Sequence, residues 1–527
     1  MSVSAQQLRS MLLDGEEIAL IDVREEAEFG ARHILLAANL PLSQLELRAA
    51  NLIPRTGVRV VVCDGSGDGL AHRAAARLEF HDYSDVQVLG GGTQAWADAG
   101  YEVFSGVNVP SKLFGEFIEH HYGTPSLSAQ ELKARMDAGA DMVVLDSRPL
   151  SEYRDMNIPG STCVPGAELV YRVRELAPHP NTLVVVNCAG RTRSIIGAQS
   201  LINAGVANKV MALRNGTMGW HLAGLELERG QDRYLPAVSA ANTEEARHMA
   251  ARVASRFGVR SIDRETLTQW QQAGDRSLYL FDVRSPEEFA AGHLPGSQNA
   301  PGGQLVQGTD RYVATLRATV VLIDDNAVRA TMTASWLNQL GLHQAVVLER
   351  ALQDATLLRG PQPVNALGIE TLRDAAIDPA ALAEQASTGK VAILDLQRSL
   401  SFRKHHIEGA LHAVRGRLHE RVGDIAPHEL LVLTCDDGLL ARYAFDEATR
   451  ITAADVAVLQ GGNAAWQAAG YALVGGSEGL EDAPVDAFLR PFDRDRSVEE
   501  AMQSYLDWEI ALLERLEQDG TVRFRTA

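Results

Sequence analysis

Cysteine is scarce in this chain: four residues in 527, at Cys63, Cys163, Cys188 and Cys435, each in a separate apolar segment. None forms a Cys-x-x-Cys pair or stands at zinc-ligand spacing from a histidine, so neither a metal centre nor a disulfide framework is read from them. Long apolar runs are lacking too. Nothing approaches the ~20 consecutive residues that cross a bilayer. The opening residues MSVSAQQLRSMLLDGEEIALIDVR read as a capped helix entering a strand, without the apolar core of an export signal. Positive charge is in deficit, with 49 Lys and Arg against 68 Asp and Glu and a net charge of −19, which argues against nucleic acid as a partner. Together these absences point to a cytoplasmic protein, off the membrane and without a cofactor, whose few cysteines matter for reactivity.

What is present is a repeat. The length exceeds one ordinary core and suggests roughly three to five domains, and 46% hydrophobic with 22% charged residues is a globular composition. Three landmarks recur four times. The first is a strand ending in Asp-x-Arg, followed by Glu-Phe or Glu-Tyr; the second is a strand that delivers a loop; the third is Gly-Gly-x-x-Ala-Trp. Copy one has Asp22-Val23-Arg24, Cys63 and Gly91 through Trp96; copy two has Asp146-Ser147-Arg148 with Glu152-Tyr153, then Cys188 and Trp220. Copy three keeps Asp282-Val283-Arg284 but places Asp324 at the loop position and Glu349-Arg350-Ala351-Leu352 where the Gly/Trp landmark belongs. Copy four has Asp395-Leu396-Gln397, Cys435 and Gly461 through Trp466. The separation from the aspartate to the loop position is 41, 42, 42 and 40 residues in turn, which fixes the alignment.

Short Val/Leu/Ile strands alternate with helical stretches in each copy. The fold class is therefore α/β: four tandem domains, each a small parallel sheet flanked by helices, plus a C-terminal helix. The domains are expected at 1–105, 126–230, 259–359 and 378–475, with linkers near 106–125, 231–258 and 360–377 and a helical tail over 476–527. The Asp-x-Arg pairs are read as structural ties, Trp96, Trp220 and Trp466 as core anchors, and Cys163 as a core residue of a second strand. The pair His120-His121 in the first linker is read as an inter-domain contact, since no ligand-spaced partner accompanies it. Ser497-Val498-Glu499-Glu500 reads as a capping box. It opens a terminal helix with Val498, Met502, Tyr505, Leu506, Leu513 and Leu516 on one stripe, stopped by Gly520. Packing of that stripe on its own domain and on a second subunit of a homo-oligomer both stay open.

The chemistry concentrates at one loop. Residues 183–186 are a buried strand; Cys188 follows, then Ala189-Gly190-Arg191-Thr192-Arg193, and a helix begins at Ser194. A cysteine at the carboxyl end of a strand, facing a helix N-terminus, sits where open α/β folds place ligands. The free amides and positive end of the helix, with two arginines, favour thiolate over thiol and attract a small anion.

These residues, with Asp146-Ser147-Arg148 before them and Gly216-Thr217-Met218-Gly219-Trp220 after, resemble the active domain of a rhodanese-type sulfurtransferase. The repeat extends the resemblance over nearly the whole chain. It implies a five-stranded sheet per domain and a double displacement at a catalytic Cys188. The thiolate would take the outer sulfur of thiosulfate or a similar small anionic donor, and the persulfide would pass it to a thiol or cyanide. Ala189, Gly190, Arg191, Thr192, Arg193 and Ser194 would bind the substrate. Their amides would cradle the sulfur, the arginines would hold the anion or steady the thiolate, and the two hydroxyls would donate, with Ser194 equally readable as the helix N-cap. Arg193 is five positions after Cys188, one short of the spacing in cysteine phosphatases, which favours sulfur over phosphate.

The other loops depart from this pattern. Copy one carries Asp64 and Asp68 and copy four Asp436 and Asp437, with no arginine inside the loop. Such loops should raise the thiol pKa and repel an anionic donor, leaving Cys63 and Cys435 as secondary, relay-type thiols. Copy three, Asp324-Asp325-Asn326, has no nucleophile. An alternative function uses the same Cys188 loop: a sulfur carrier that receives persulfide from a partner protein and has little activity on thiosulfate.

Overall fold

The structure, a computed structural model, describes residues 1–422, 429–480, 484–494 and 496–526. Residues 423–428 of the fourth expected domain and 481–483, 495 and 527 of the expected tail lie outside the described residues.

Four sheets follow one another along the chain. In the second, the strands run in the order Ser126–Leu127, Val210–Leu213, Leu183–Asn187, Met142–Asp146 and Thr162–Cys163, all parallel. Alternation along the central strand explains its unbroken apolar run. Val184 and Val186 face one core with the helices Leu169–Leu176, Thr192–Ala204 and Ala240–Phe257, whereas Leu183 and Val185 face another with Leu132 and Trp220. Both faces are covered, so neither can be polar. The third and fourth sheets also have five parallel strands. The first has a sixth: Thr315–Leu316, from the third repeat, pairs antiparallel with Ile18–Asp22. The five-stranded expectation is thus exceeded there, because one repeat lends an edge to another.

The landmarks have mechanical roles. Arg148 clasps Asp146 with two nitrogens, at 2.9 and 2.7 Å, and reaches the Met156 carbonyl at 2.7 Å, tying the strand end to the next turn. In the fourth repeat Gln397 makes the same two links, to Asp395 and the His405 carbonyl. Without a cation the buried Asp395 carboxyl is pushed up to about 6. Each tryptophan is buried and donates its indole N–H to a carbonyl six residues on: Trp96 to Glu102, Trp220 to Glu226 and Trp466 to Ala472. Gly216 must be glycine. Its φ is +54°, and a Cβ there would lie 2.3 Å from the Cys188 carbonyl oxygen. That close approach lets the amides of Thr217 and Met218 bond the carbonyls of Cys188 and Ala189 at 2.9 and 3.0 Å. In the third repeat, where the glycines and tryptophan are missing, residues 349–354 form turns and no helix.

Two expectations about the connections are corrected. His120 and His121 are exposed, His121 stacking on Phe117, and the inter-domain contact is made instead by Glu116 and Glu119 of the same helix, Val109–Tyr122. Ser497 does not cap the terminal helix Val498–Asp519. Its φ of +52° is left-handed, so its hydroxyl cannot reach back to the third helical amide as a capping box requires. Gly520 ends that helix in the left-handed conformation. Its stripe does not pack on the fourth repeat: it lies along Val109–Tyr122, between the first two repeats. No described helix is long and apolar enough to cross a membrane.

Buried ion pairs lock the repeats together. Arg415 of the fourth repeat meets Glu46 of the first at 2.7 Å. Arg329 of the third is fully buried and holds Glu168 of the second at 2.9 Å, with Glu288 and Asp325 at 2.7 Å. Removing one partner of a buried pair leaves the other charge uncompensated, a cost of about 3 kcal/mol. Arg329→Ala is therefore expected to lower the thermal unfolding midpoints of the second and third repeats together, measurable by calorimetry.

Candidate active site

The strand Leu183–Asn187 delivers Cys188 to the carboxyl edge of the second sheet, and the helix Thr192–Ala204 begins four residues later. Ser194 is not the helix cap. The helix starts two residues earlier, and the Ser194 hydroxyl donates to the Arg191 carbonyl at 2.8 Å. The Cys188 side chain is nearly closed off, 2% exposed, and its thiol is raised above the ordinary cysteine value. Burial dominates; Arg193 and the Ser194 amide and hydroxyl pull the other way, and Glu509 adds to the rise. The expectation that this loop favours thiolate is thus reversed, because desolvation outweighs the helix end and one arginine.

Both loop arginines are paired. Arg191 places two nitrogens on Glu116 at 2.7 Å and a third contact on Glu119. Arg193 makes a two-pronged pair with Glu152 at 2.9 and 2.8 Å, which holds the Glu152 carboxyl down at about 2. Such forked pairs fix the loop's shape.

The terminal helix roofs the loop. Tyr505, Leu506 and Glu509 stand over Gly190, where a Cβ would come within 3.2 Å of Glu509 Oε2. Glu509 is 2% exposed and accepts from the Thr192 hydroxyl at 3.3 Å and the Tyr505 hydroxyl at 3.2 Å, both on Oε1; Oε2 has no partner. Burial raises the Glu509 carboxyl, with Lys112 and Arg191 opposing. Lys112, Glu116, Tyr505 and Glu509 escaped sequence reasoning. The i, i+4 spacing of Lys112 and Glu116 put them on one helical face, but only folding shows what that face meets.

Beyond the loop opens a chamber of about 670 Å³ whose wall includes Ala189, Arg193 and Met218 and side chains of all four repeats. Basic residues on this wall outnumber acidic ones two to one, in a protein that is acidic overall. Neither the Cys63 loop nor the Cys435 loop reaches it.

The other loops fill their own cradles. Asp64 turns inward and accepts the amides of Gly67 and Ala71 at 2.6 and 3.0 Å, and the Cys63 thiol is pushed far up by burial, Asp22 and Asp64. Asp68 takes the Leu70 amide instead. Cys435 is pushed up to about 12 by burial, with Asp437 and Asp395 adding. Asp436 is turned away, toward His405 at 3.4 Å. In the third repeat the Asp324 carboxylate itself accepts the amides of Asn326, Ala327 and Ala330. Cys163 is fully buried, its thiol directed at the Arg148 carbonyl 3.3 Å away.

Sheet order, landmarks and loop define one class of protein: the chain belongs to the rhodanese-like domain family, whose model matches residues 4–99, 128–223, 263–355 and 378–469. The whole chain superposes on a crystal structure of a thiosulfate sulfurtransferase from Pseudomonas aeruginosa, with 47% identity, a TM-score of 0.96 and full coverage of both chains. Among curated relatives, the HTH-type transcriptional regulator Rv0324 of Mycobacterium tuberculosis is 32% identical over 20% of this chain and 47% of its own length. The putative sulfur carrier protein YrkF of Bacillus subtilis is 25% identical over 24% of this chain and 72% of its own. The putative thiosulfate sulfurtransferase SseB of Mycobacterium tuberculosis is 27% identical over 38% and 79%. The chain thus spans about half the length of the regulator and most of the other two.

The titration of Cys188 is open to measurement. Iodoacetamide alkylation of Cys188, followed by peptide mass spectrometry, is expected to accelerate with a midpoint above the ordinary thiol value. Because the Glu509 carboxylate disfavours a neighbouring thiolate, Glu509→Gln should move that midpoint down. An unchanged midpoint would remove Glu509 from the electrostatics of the site.

Proposed function

We propose that this protein is a thiosulfate sulfurtransferase in which Cys188 carries the transferred sulfur as a persulfide. The observation that carries the reading is the basic chamber ending at the Cys188 loop, which concentrates a small anion beside one thiol of four. The full-length likeness to a thiosulfate sulfurtransferase supports the same choice of donor.

The reaction follows from the loop. Cys188, once its proton has left, attacks the outer sulfur of thiosulfate; the S–S bond of the donor breaks and sulfite departs with its electron pair. In this reading the loop amides, the Ser194 amide beside Cys188 among them, meet the charge that forms on the persulfide, as an oxyanion hole does. A thiolate or cyanide then attacks the outer persulfide sulfur, and Cys188 leaves as thiolate. Arg191 and Arg193 shape the loop through Glu116, Glu119 and Glu152, and Thr192 ties it to the terminal helix. Cys63 and Cys435, held as thiols in acidic loops, stay outside the main cycle. Four unpaired thiols fit a reducing cytoplasm. The carrier reading fits less well, since a thiol 2% exposed under a helical roof is poorly placed to meet a cysteine on another protein's surface.

Thiosulfate-to-cyanide transfer tests the proposal. The wild type should turn over and gain the mass of one sulfur atom after thiosulfate alone. Cys188→Ala should lose both, and Cys63→Ala and Cys435→Ala should keep both. A mass gain surviving in Cys188→Ala would transfer the chemistry to another thiol, and none in the wild type would refute the thiosulfate reading.

A further inference from the structure

The loop arginines that the sequence offers for anion binding are already engaged. Arg193 is forked on Glu152, and Arg191 holds Glu116 and Glu119, so the charge of each is already offset by carboxylates. Arg148, also on the chamber wall, is clasped to Asp146. Lys112 is different. It is 3% exposed and lines the same chamber beside Ala189, Arg193 and Tyr505. Its ammonium lies 4.8 and 4.5 Å from the ring centroids of Tyr505 and Trp508. Yet it makes no hydrogen bond and has no carboxylate within 4.0 Å among the described residues. Among the described residues it is a buried cation of that wall without a direct ion pair, the buried Glu509 carboxyl acting on it from beyond 4.0 Å.

Its placement is not incidental. Lys112, Gly115 and Glu116 share one face of the helix Val109–Tyr122, at spacings of three and four. Gly115 packs directly on Thr192, where a Cβ would fall 2.8 Å from Thr192 Cγ2, and Glu116 holds Arg191. The face that carries the ammonium is therefore the face docked on the catalytic loop. A buried ammonium without a directly bonded anion is costly, and part of that cost is recovered when an anion enters. Burial brings the Lys112 ammonium down to about 8, with Glu509 and Asp310 favouring its charged form and Arg311 and Arg193 opposing it.

We propose that Lys112 is the anion-binding residue of the Cys188 site, taking the sulfonate end of the donor while the outer sulfur faces the thiol. This rests on the sulfurtransferase reading for the identity of the anion, but not for the existence of the anion site.

Two alkylating reagents separate those claims. Iodoacetate and iodoacetamide both form an S–C bond at Cys188 with loss of iodide and of the thiol proton, and they differ in one negative charge. Lys112→Met, close in length and apolar between Tyr505 and Trp508, should slow iodoacetate at Cys188 about tenfold, the worth of a charge-assisted hydrogen bond, and leave iodoacetamide unchanged. Lys112→Arg, which keeps the charge, should restore the iodoacetate rate, and an unaltered thermal midpoint in Lys112→Met shows that the fold is kept. In the thiosulfate assay the KM of Lys112→Met should rise by a similar factor with kcat little changed. Equal slowing of both reagents, or of neither, would overturn the assignment. A wild type inert to thiosulfate but still sensitive to reagent charge through Lys112 would refute the donor and retain the site.

Discussion

Arg191 and its two glutamates hold the architecture of the site together. The guanidinium is planted in the Cys188 loop, while Glu116 and Glu119 belong to the helix that joins the first two repeats. A buried forked pair of this kind is stable only if neither member is missing, since a lone charge left behind costs several kcal/mol. The pair therefore dictates where the linker helix lies. That helix in turn offers the surface on which the terminal helix packs, and the terminal helix closes the loop. An arginine that a single-domain view assigns to substrate is spent on assembling the site.

The four repeats share one frame and differ in what occupies its anion cradle. In the second a cysteine stands at the loop position, and no carboxylate of its own loop fills the cradle. In the first Asp64 fills it, and in the third Asp324 does, each carboxylate taking hydrogen bonds that a bound anion would otherwise receive. The cradle is thus retained as a loop-closing device where it no longer binds a ligand. The degenerate repeats serve in other ways: the third lends a strand to the first sheet, and all four contribute wall to the chamber over Cys188.

Charge behaves similarly. A net of −19 predicts a surface that repels small anions. Locally the chamber reverses that sign, because side chains distant in sequence, such as Lys112, Arg193, Arg398 and Arg490, converge on it. Burial then works against itself at the centre. It strengthens the field that draws an anion, and it also raises the resting thiol of Cys188 by stripping away water.

The sequence by itself determined the repeat, its sheets and the place of Cys188 at a strand's carboxyl end. These depend on local signals: apolar runs four to five residues long, Asp-x-Arg ties that close within one turn, and glycines required where a Cβ would strike a carbonyl. It also separated the Cys188 loop from its acidic counterparts, since the loop's chemistry is written in consecutive residues. Tertiary structure decided the rest. It alone showed that Ser497 does not cap, that His120 and His121 are bystanders, and that the terminal stripe covers another repeat's loop. It alone paired Arg191 and Arg193 directly with carboxylates and left Lys112, among the described residues, without a direct ion pair. Pairing across 40 to 400 residues depends on how whole domains pack, and no spacing within one chain encodes which charge will meet which. Local geometry was legible; the counter-ions were not.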